Sequence, residues 1–426
     1  MAIPEDFLHY LWKFRLFSQQ GLKTVSGEFV EIISVGFHNK HAGPDFESAK
    51  IRIGKTLWIG NVEIHLRSSD WVRHQHQIDK TYDNVILHVV SQHDQDIFRT
   101  DGTMIPVISI EALIPDKITN NYLSLLECMD SIPCGKQISK VDTFHIKSWL
   151  YRVEIERLEE KADLIDEILT EFKGSWDDAF YIFLARNFGF KTNAIPFEML
   201  ARSLPQQLLG RYKNKPLQIE SLIFGQAGFF RHKYKDEYPE ILGKEYLFLQ
   251  KKHSLKPMDN YLWKFMRMRP VNFPTLRLAQ FAALINISNH LFSRILVEED
   301  MGRIISMFDN LPVNKYWYTH YRFDAETHHL SPMLGMQSIN NILINTVVAF
   351  VMAYGKMTGS SYHINRSLDL LEKLPSETNS IIRCFKELGV NSENAFFSQS
   401  LIQLKKAYCD RKKCLSCGIG IKLLKE

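Results

Sequence analysis

Two carboxylates and a histidine near the N-terminus have the types and spacing for metal-dependent chemistry. Asp45 follows a Gly-Pro dipeptide at the start of one strand-like run, and Glu63 lies inside the next, with His65 two residues later. Paired strands lie about 4.8 Å apart, so the two carboxylates can share one divalent cation. Such a cation acidifies a bound water and neutralises charge developing on a phosphodiester. We therefore expect Asp45, Glu63 and His65 to be catalytic, with Mg²⁺ or Mn²⁺ bound by the two acids.

The elements that must position these residues lie within residues 1 to about 115. Helical spacing of apolar residues predicts a first helix from Pro4 to about Phe17, and glycines bound a strand from Gly27 to Gly36. Alternating residues predict a hairpin that turns at Gly54-Lys55 and returns from Leu57 to Arg67, with Glu63 and His65 on one face. The remaining predicted elements are a helix with the stripe Trp71, Ile78 and Tyr82, a buried strand from Asn84 to Val90, and a hairpin turning at Asp101-Gly102.

This order of elements, with Pro-Asp opening one hairpin strand and Glu-x-basic in the next, resembles the restriction-endonuclease-like superfamily, also called PD-(D/E)XK. The resemblance covers roughly residues 1–95 and implies a nuclease that acts on DNA or RNA. It also implies that Asp45 and Glu63 bind Mg²⁺, and that a lysine two residues after the second acid orients the attacking water. His65 occupies the position of that lysine.

The histidine in place of the lysine leaves several interpretations open. His65 could be a general base near neutral pH, or a metal ligand that favours Mn²⁺ or Zn²⁺. Lys50 on the neighbouring strand, or Arg67 on the same face, could take the lysine's role, and His41 could line the same pocket. The fold could also be retained without activity, in a nucleic-acid-binding or scaffold protein. Asp45 and Glu63 would then only stabilise the turn and the hairpin.

Histidines are dense in the first ninety residues. His74 and His76 lie two apart on the predicted second helix, so we expect them on different faces. His88 interrupts an apolar strand, which is more typical of a core residue than of a ligand. A third hypothesis, a zinc-dependent hydrolase, requires His41 or another histidine to converge with His65.

The C-terminal segment contains a separate metal-binding pattern. Cys409, Cys414 and Cys417 form C-x4-C-x2-C, and a C-x2-C turn can present two thiolates to one metal. Cys134 is the first candidate for a fourth ligand, and Cys128 is the next. Both Zn²⁺ and an iron–sulfur cluster suit such thiolates. The alternative is a basic tail without a metal.

From about residue 116 onward the pattern is almost entirely helical, beginning with a long helix from Thr143 to Phe172. The apolar stretch from Ile339 to Tyr354 contains three asparagines and is too short to span a bilayer, which predicts a buried helix. One basic segment places arginines among aromatic residues, a pattern that suits phosphate contacts and base stacking. Its candidate nucleic-acid-binding residues are Lys264, Arg267, Arg269 and Arg277. Two nearby prolines favour the alternative, ordinary helix packing.

Length and composition favour a globular protein of more than one domain. The chain has 426 residues, 45% of them hydrophobic, and a net charge of +4, too small to identify a nucleic-acid partner by itself. We expect an α+β domain at residues 1–115, with a restriction-endonuclease-like mixed sheet and flanking helices, a connecting segment at 116–140, and a mainly α-helical domain at 141–426. The absence of a signal-peptide pattern and the few cysteines predict a cytoplasmic protein without membrane association. The oligomeric state stays open.

The whole chain resembles an uncharacterised bacterial family known as domain of unknown function 2851. The segments that carry this resemblance are HNKHAGPDF, IGNVEIHLRSSDW, YDNVILHVV, RMRPVNFPTLRLAQ and CLSCGIG. This family has no assigned activity, so the resemblance implies no particular function.

Overall fold

The structure is a computed structural model that describes residues 3–39, 41–328 and 331–425. The chain divides into two compact units, one formed by Met1–Trp149 together with Leu404–Glu426, the other by Leu150–Gln403. The domain boundaries expected from the sequence, at residues 115 and 140, do not coincide with the boundaries of these units. In particular, the last segment belongs to the N-terminal unit and not to the helical one.

The N-terminal unit is built around one mixed sheet. Its strands are β1 (Val30–Ser34), β2 (Phe37–His38), β3 (Phe46–Ile53), β4 (Thr56–Arg67), β5 (Val85–Gln92) and β6 (Val107–Ser109). Its helices are α1 (Glu5–Phe14), α2 (Asp70–Arg73), α3 (Asp116–Glu127), the first turns of α4 (Thr143–Glu171), and α18 (Gly418–Lys425), which we number in chain order.

The sheet order is β1-β3-β4-β5-β6, with β2 paired to β3. The first three strands on this path are antiparallel, and β5 and β6 then add in parallel. β5 is buried over its first six residues, as the continuous apolar run predicts for a strand covered on both faces. The hairpin of β3 and β4 matches the predicted one and pairs Phe46 with Val62, which brings the start of β3 beside the middle of β4.

One local prediction in this unit was wrong, and another was confirmed. The segment between β4 and β5 is not one helix, because α2 ends after one turn and two short 3-10 turns follow at His76–Ile78 and Lys80–Tyr82. The turn at Asp101-Gly102 forms as predicted, with Gly102 in the left-handed region and Phe98 in an antiparallel bridge with Met104. The backbone N–H of Ile105 donates to the carbonyl of Ile97 at 3.0 Å. The returning arm then continues beyond this short pairing. It contributes β6, which pairs in parallel with β5.

The second unit is helical apart from a two-stranded hairpin, β7 (His320–Arg322) and β8 (Ala325–Glu326). After α4, whose predicted range is confirmed, its helices are α5 (Trp176–Phe188), α6 (Ala194–Ser203), α7 (Gln206–Gly210), α8 (Pro216–Gln226), α9 (Glu237–His253), α10 (Pro274–Ile287), α11 (Leu291–Val297), α12 (Met301–Ser306), α13 (Met336–Ile342), α14 (Val348–Thr358), α15 (Ser361–Lys373), α16 (Ser380–Glu387) and α17 (Ala395–Gln403).

One continuous helical stretch in this unit, Met336–Thr358, is long and apolar enough to cross a membrane by length and composition. It joins α13 and α14 through a π-helical turn at Leu343–Val347. Its residues form part of the hydrophobic core of the unit, and 67% of its most apolar window is buried. The polar side chain of Thr346 is also buried and accepts a hydrogen bond from Asn187 at 2.8 Å. The stretch is therefore the buried core helix that the sequence predicts.

Candidate functional site

Asp45 and Glu63 lie side by side at the start of β3 and are held there by reciprocal hydrogen bonds. The backbone N–H of Asp45 donates to Glu63 Oε2 at 3.1 Å, and the backbone N–H of Ile64 donates to Asp45 Oδ2 at 2.9 Å. The side chain of Glu63 is only 6% exposed, whereas that of Asp45 is 22% exposed. One carboxylate therefore lies inside the unit and its neighbour reaches solvent.

His65 lies behind this pair, at the centre of a chain of imidazoles. Its Nδ1 is 2.9 Å from His88 Nε2, and its Nε2 is 3.1 Å from His74 Nδ1 and 3.5 Å from Glu63 Oε1. His88 on β5 is completely buried, as expected for a core residue. If Nδ1 of His65 donates to His88, its Nε2 is left with a lone pair that can accept from His74 or bind a metal.

His76 completes the cluster from the other side. Its Nε2 lies 3.4 Å from Glu63 Oε1, and its ring stacks on Tyr82 at 3.7 Å. One ligand nitrogen from each of His65, His74 and His76 lies within 4.8 Å of the other two. The expectation that His74 and His76 point apart was therefore wrong. Helix α2 ends before them, and the left-handed backbone of Gln75, with φ 64°, turns both rings to the same side.

His9 is a site residue that the sequence analysis missed. It lies on α1 with its Nε2 3.3 Å from Asp45 Oδ2. Its only sequence signal is its position four residues after Glu5, on one face of the predicted first helix. Burial lowers the pKa of His9, but the hydrogen bond and charge of Asp45 outweigh burial and leave the pKa above its ordinary value.

Burial shifts the pKa values of the two innermost groups of the site toward their neutral forms. Burial, followed by the negative charge of Asp45, raises the pKa of Glu63 to about 9. Burial, followed by the nearby rings of His74 and His76, lowers the pKa of His65 to about 3. A cation bound between these groups would stabilise the ionised form of Glu63, which burial disfavours. It would also require the neutral imidazole of His65, which burial favours.

The available donors define which cation fits. Mg²⁺ prefers oxygen ligands with near-octahedral geometry, whereas imidazole nitrogens suit Mn²⁺, Fe²⁺ and Zn²⁺. Asp45 and Glu63 supply oxygens, and His65, His74 and His76 supply nitrogens next to Glu63. The residues therefore fit a divalent transition metal better than Mg²⁺.

Of the three residues considered as supporting groups, Lys50 and Arg67 lie away from this cluster along the strands, whereas His41 lies in the exposed loop before Asp45. Lys50 is exposed and pairs with Ile59 in the β3–β4 ladder. That register displaces it from Glu63 by four residues, or about 13 Å along β4. Arg67 lies the same number of residues beyond Glu63 and is exposed. His41 is also exposed, and its backbone N–H bonds to Asn39 Oδ1 at 2.8 Å.

The basic segment of the helical unit does not form a continuous surface. Lys264, Arg267 and Arg269 are exposed, but Arg277 is only 4% exposed. The Arg277 guanidinium donates to Asn272 Oδ1, Gln280 Oε1 and Ser338 Oγ at 2.6–2.9 Å. Its assignment as a nucleic-acid-binding residue is therefore wrong, because the guanidinium is buried and its two NH2 groups are bonded inside the unit.

The cysteines of the C-terminal segment come together with Cys134. Cys134, Cys409, Cys414 and Cys417 line one small cavity in the N-terminal unit. Cys128, the other candidate for the fourth ligand, is half-buried and does not line it. All four of these cysteines are free thiols.

Comparison with known proteins places the chain in a family without adding a function. No curated protein and no solved structure matches it. The family described as "Protein of unknown function (DUF2851)" matches over residues 5–380. Since this match spans most of the sequence, including β1 to β6 and most of the helical unit, the chain belongs to the DUF2851 family.

Proposed function

We propose that the N-terminal unit is a divalent-metal-dependent nuclease whose centre is formed by Asp45, Glu63 and His65. The observation that carries the proposal is the reciprocal hydrogen bonding of Asp45 and Glu63, which holds two carboxylates together where one of them reaches solvent. Among the described ion pairs, no Lys or Arg contacts either carboxylate. Two neighbouring carboxylates without such a partner favour a shared cation.

The sheet supports the resemblance to the PD-(D/E)XK superfamily. An antiparallel meander of β1, β3 and β4 is followed by β5, which lies parallel to β4. The two acids lie at the start of β3 and in the middle of β4, and these positions support the proposal. The short turns that replace a full helix between β4 and β5 are a departure, and so is His65.

Each residue has a distinct role in this proposal. Asp45 and Glu63 bind the metal, which lowers the pKa of a bound water and neutralises charge on the phosphodiester. His65 binds beside Glu63 through Nε2, and its contact with His88 fixes the orientation of its ring. His9 lies with its Nε2 3.3 Å from Asp45 Oδ2, where the imidazole can orient this carboxylate. Mn²⁺ is the proposed metal because the donors combine oxygen and nitrogen.

The test is cleavage of single- and double-stranded DNA and RNA by the full-length protein in Mg²⁺, Mn²⁺ or Zn²⁺. We expect Asp45→Asn and Glu63→Gln each to lower the rate roughly a thousandfold, equivalent to about 4 kcal/mol of transition-state stabilisation. Glu47→Gln is the matched control, because Glu47 is an exposed carboxylate on the same strand as the site. Equal rates in all three variants would reject the proposed centre. Binding of nucleic acid without cleavage in any metal would instead support an inactive, scaffold-like protein.

The convergence of three histidines favours a second candidate, a zinc-dependent hydrolase centred on His65, His74 and His76. Its four-coordinate site would use these rings, leaving one position for water. The two candidates differ in their sensitivity to substitution. Activity that requires Zn²⁺, disappears in His74→Ala and survives in Asp45→Asn would identify the histidine site. Activity lost in Asp45→Asn and retained in His74→Ala would identify the carboxylate site.

A further inference from the structure

The thiols of Cys134, Cys409, Cys414 and Cys417 surround a cavity that nothing in the proposed nuclease centre uses. Cys134, Cys414 and Cys417 are buried, and Cys409 is half-buried. The cavity has a volume of about 10 Å³, room for roughly one water molecule. A space of this size admits one ion, whereas a cluster of several iron ions and inorganic sulfides needs more room. The lining therefore favours a single metal ion.

The four thiols lie close enough to influence one another's ionisation. Burial is the main reason that the pKa of each thiol is raised. Charge on neighbouring sulfurs raises the pKa values of Cys134, Cys409 and Cys414 further, and these interactions connect every pair of the four. One shared cation stabilises all of these thiolates at once, so the grouping is typical of a site for a single ion.

The segment from Cys414 to Gly420 has the local construction of a metal-binding turn. A 3-10 turn at Cys414–Ser416 separates the last two cysteines. The backbone N–H groups of Ile419 and Gly420 hydrogen-bond the sulfur of Cys417, which orients this ligand and stabilises its charged form. Position 420 requires glycine, because a Cβ there would lie 2.4 Å from the carbonyl oxygen of Cys414.

Charge around the cavity also suits thiolates. Lys405 and Lys412 lie close enough to Cys409 and Cys414, respectively, to stabilise negative charge on their sulfurs. Lys413 lines the cavity itself. Four thiolates around one divalent ion leave an excess of negative charge, which these ammonium groups partly offset.

The sulfur donors determine which ion fits. Four thiolates suit Zn²⁺, which binds them in a tetrahedron at about 2.3 Å and so places the sulfurs about 3.8 Å apart, whereas Mg²⁺ and Mn²⁺ prefer oxygen. Among the described residues, the three ligand atoms that lie within 4.8 Å of one another are histidine nitrogens, so the sulfurs must move inward to bind the ion. Rotation about the Cα–Cβ bond of a cysteine moves its sulfur and leaves the backbone in place.

We propose that Cys134, Cys409, Cys414 and Cys417 bind one zinc ion, which joins the C-terminal segment to the rest of the N-terminal unit. The ion links the segment Leu404–Glu426 to the connection that follows α3. Four protein ligands leave no position on a tetrahedral ion for water or substrate, so its role is structural. This inference is independent of the proposed nuclease activity.

The first test is the metal and sulfide content of the full-length wild-type protein, purified without oxygen. We expect about one zinc per chain that a mercurial thiol reagent releases to a chromophoric chelator, and no acid-labile sulfide. Iron in place of zinc, with or without sulfide, would overturn the proposal. Thiols that bind no zinc after incubation with Zn²⁺ under reducing conditions would overturn it equally.

Replacement of zinc by Co²⁺ identifies the donor atoms. Thiolate ligands give charge-transfer absorption in the near ultraviolet, and a tetrahedral site gives strong visible bands, so we expect both in the wild-type protein. Weak visible bands without charge-transfer absorption would show that the ion is bound by oxygen or nitrogen, which would contradict a thiolate site.

Variants then test the ligand assignment. Cys134→Ser and Cys417→Ser should each lose about one zinc per chain relative to the wild type. Cys128→Ser and Cys384→Ser are matched controls, because both residues are half-buried free cysteines outside the cavity and should retain wild-type content. Zinc that disappears in His74→Ala but persists in Cys417→Ser would assign the ion to the histidines and overturn the proposal. If a ligand variant does not fold, the cobalt spectrum of the wild type still identifies the donors.

Discussion

Arg277 illustrates how burial determines what a basic residue can do. In the sequence it lies in a segment that contains both basic and aromatic residues, downstream of Arg267 and Arg269. In the structure burial lowers its pKa to about 10, and its guanidinium lies 4.5 Å from the centre of the Phe190 ring. A cation held in this way stabilises the helical unit and does not reach a phosphate.

We predict that Arg277→Ala lowers the free energy of unfolding by about 2–4 kcal/mol, since it leaves buried polar partners without a donor and opens a cavity. Denaturant unfolding measures this difference. Arg269→Ala is the control, because its exposed side chain should change stability by no more than about 0.5 kcal/mol. Equal stability of the two variants would contradict the structural role.

At the level of elements, the segment between β4 and β5 determines the composition of the candidate centre. A continuous helix over this segment would separate His74 from His76. Helix α2 instead ends at Arg73, and the segment changes direction at Gln75. Two rings therefore face His65, and His76 adds a second nitrogen donor beside Glu63.

Gln75 provides a test of this backbone geometry. A left-handed conformation costs a residue with a side chain roughly 1 kcal/mol, which glycine avoids. We therefore expect Gln75→Gly to raise the free energy of unfolding by about 0.5–1 kcal/mol and to leave metal affinity unchanged.

Val72→Gly is the matched substitution for that experiment, because Val72 lies in helical backbone only three residues earlier. There glycine should lower stability by about 1 kcal/mol. Calorimetric titration with Mn²⁺ and thermal unfolding give both readouts. A loss of stability of the same size at both positions would show that Gln75 is not left-handed in solution.

At the level of the whole molecule, the two ends of the sequence belong to one compact unit. Helix α18 packs against α3, and the side chain of Asn121 donates to the carbonyl of Leu423 at 3.5 Å. Ile419 at the start of α18 is 1% exposed. The C-terminal segment therefore contributes to the core of the N-terminal unit, although the whole helical unit intervenes in the sequence.

We predict that Ile419→Ala lowers the stability of the N-terminal unit by about 2–4 kcal/mol, because it removes buried apolar volume. Hydrogen exchange should accelerate in α1 and α3 and remain unchanged in α8 and α10. Ile223 on α8 is also completely buried. Ile223→Ala should therefore accelerate exchange in α8 and α10 and leave it unchanged in α1 and α3. Faster exchange in α8 and α10 after Ile419→Ala would contradict the division into units.

The sequence by itself determined the elements whose signals are local. Alternation between Ala49 and Ile53 and from Leu57 to Arg67 predicted the β3–β4 hairpin, because a side chain's face in a strand follows from its position alone. That hairpin was enough to place Asp45 near Glu63. The apolar run of β5, the long α4 and the helical second part were predictable for the same reason.

Only the tertiary structure decided the rest, since it depends on contacts between residues far apart in the sequence. The convergence of His74 and His76 on His65 required a helix to stop after one turn, and the position of His9 beside Asp45 required α1 to pack against the sheet. The burial of Arg277 and the meeting of Cys134 with the C-terminal cysteines likewise arise from long-range packing. Local patterns record which face a residue takes within its own element, but not which other element covers that face.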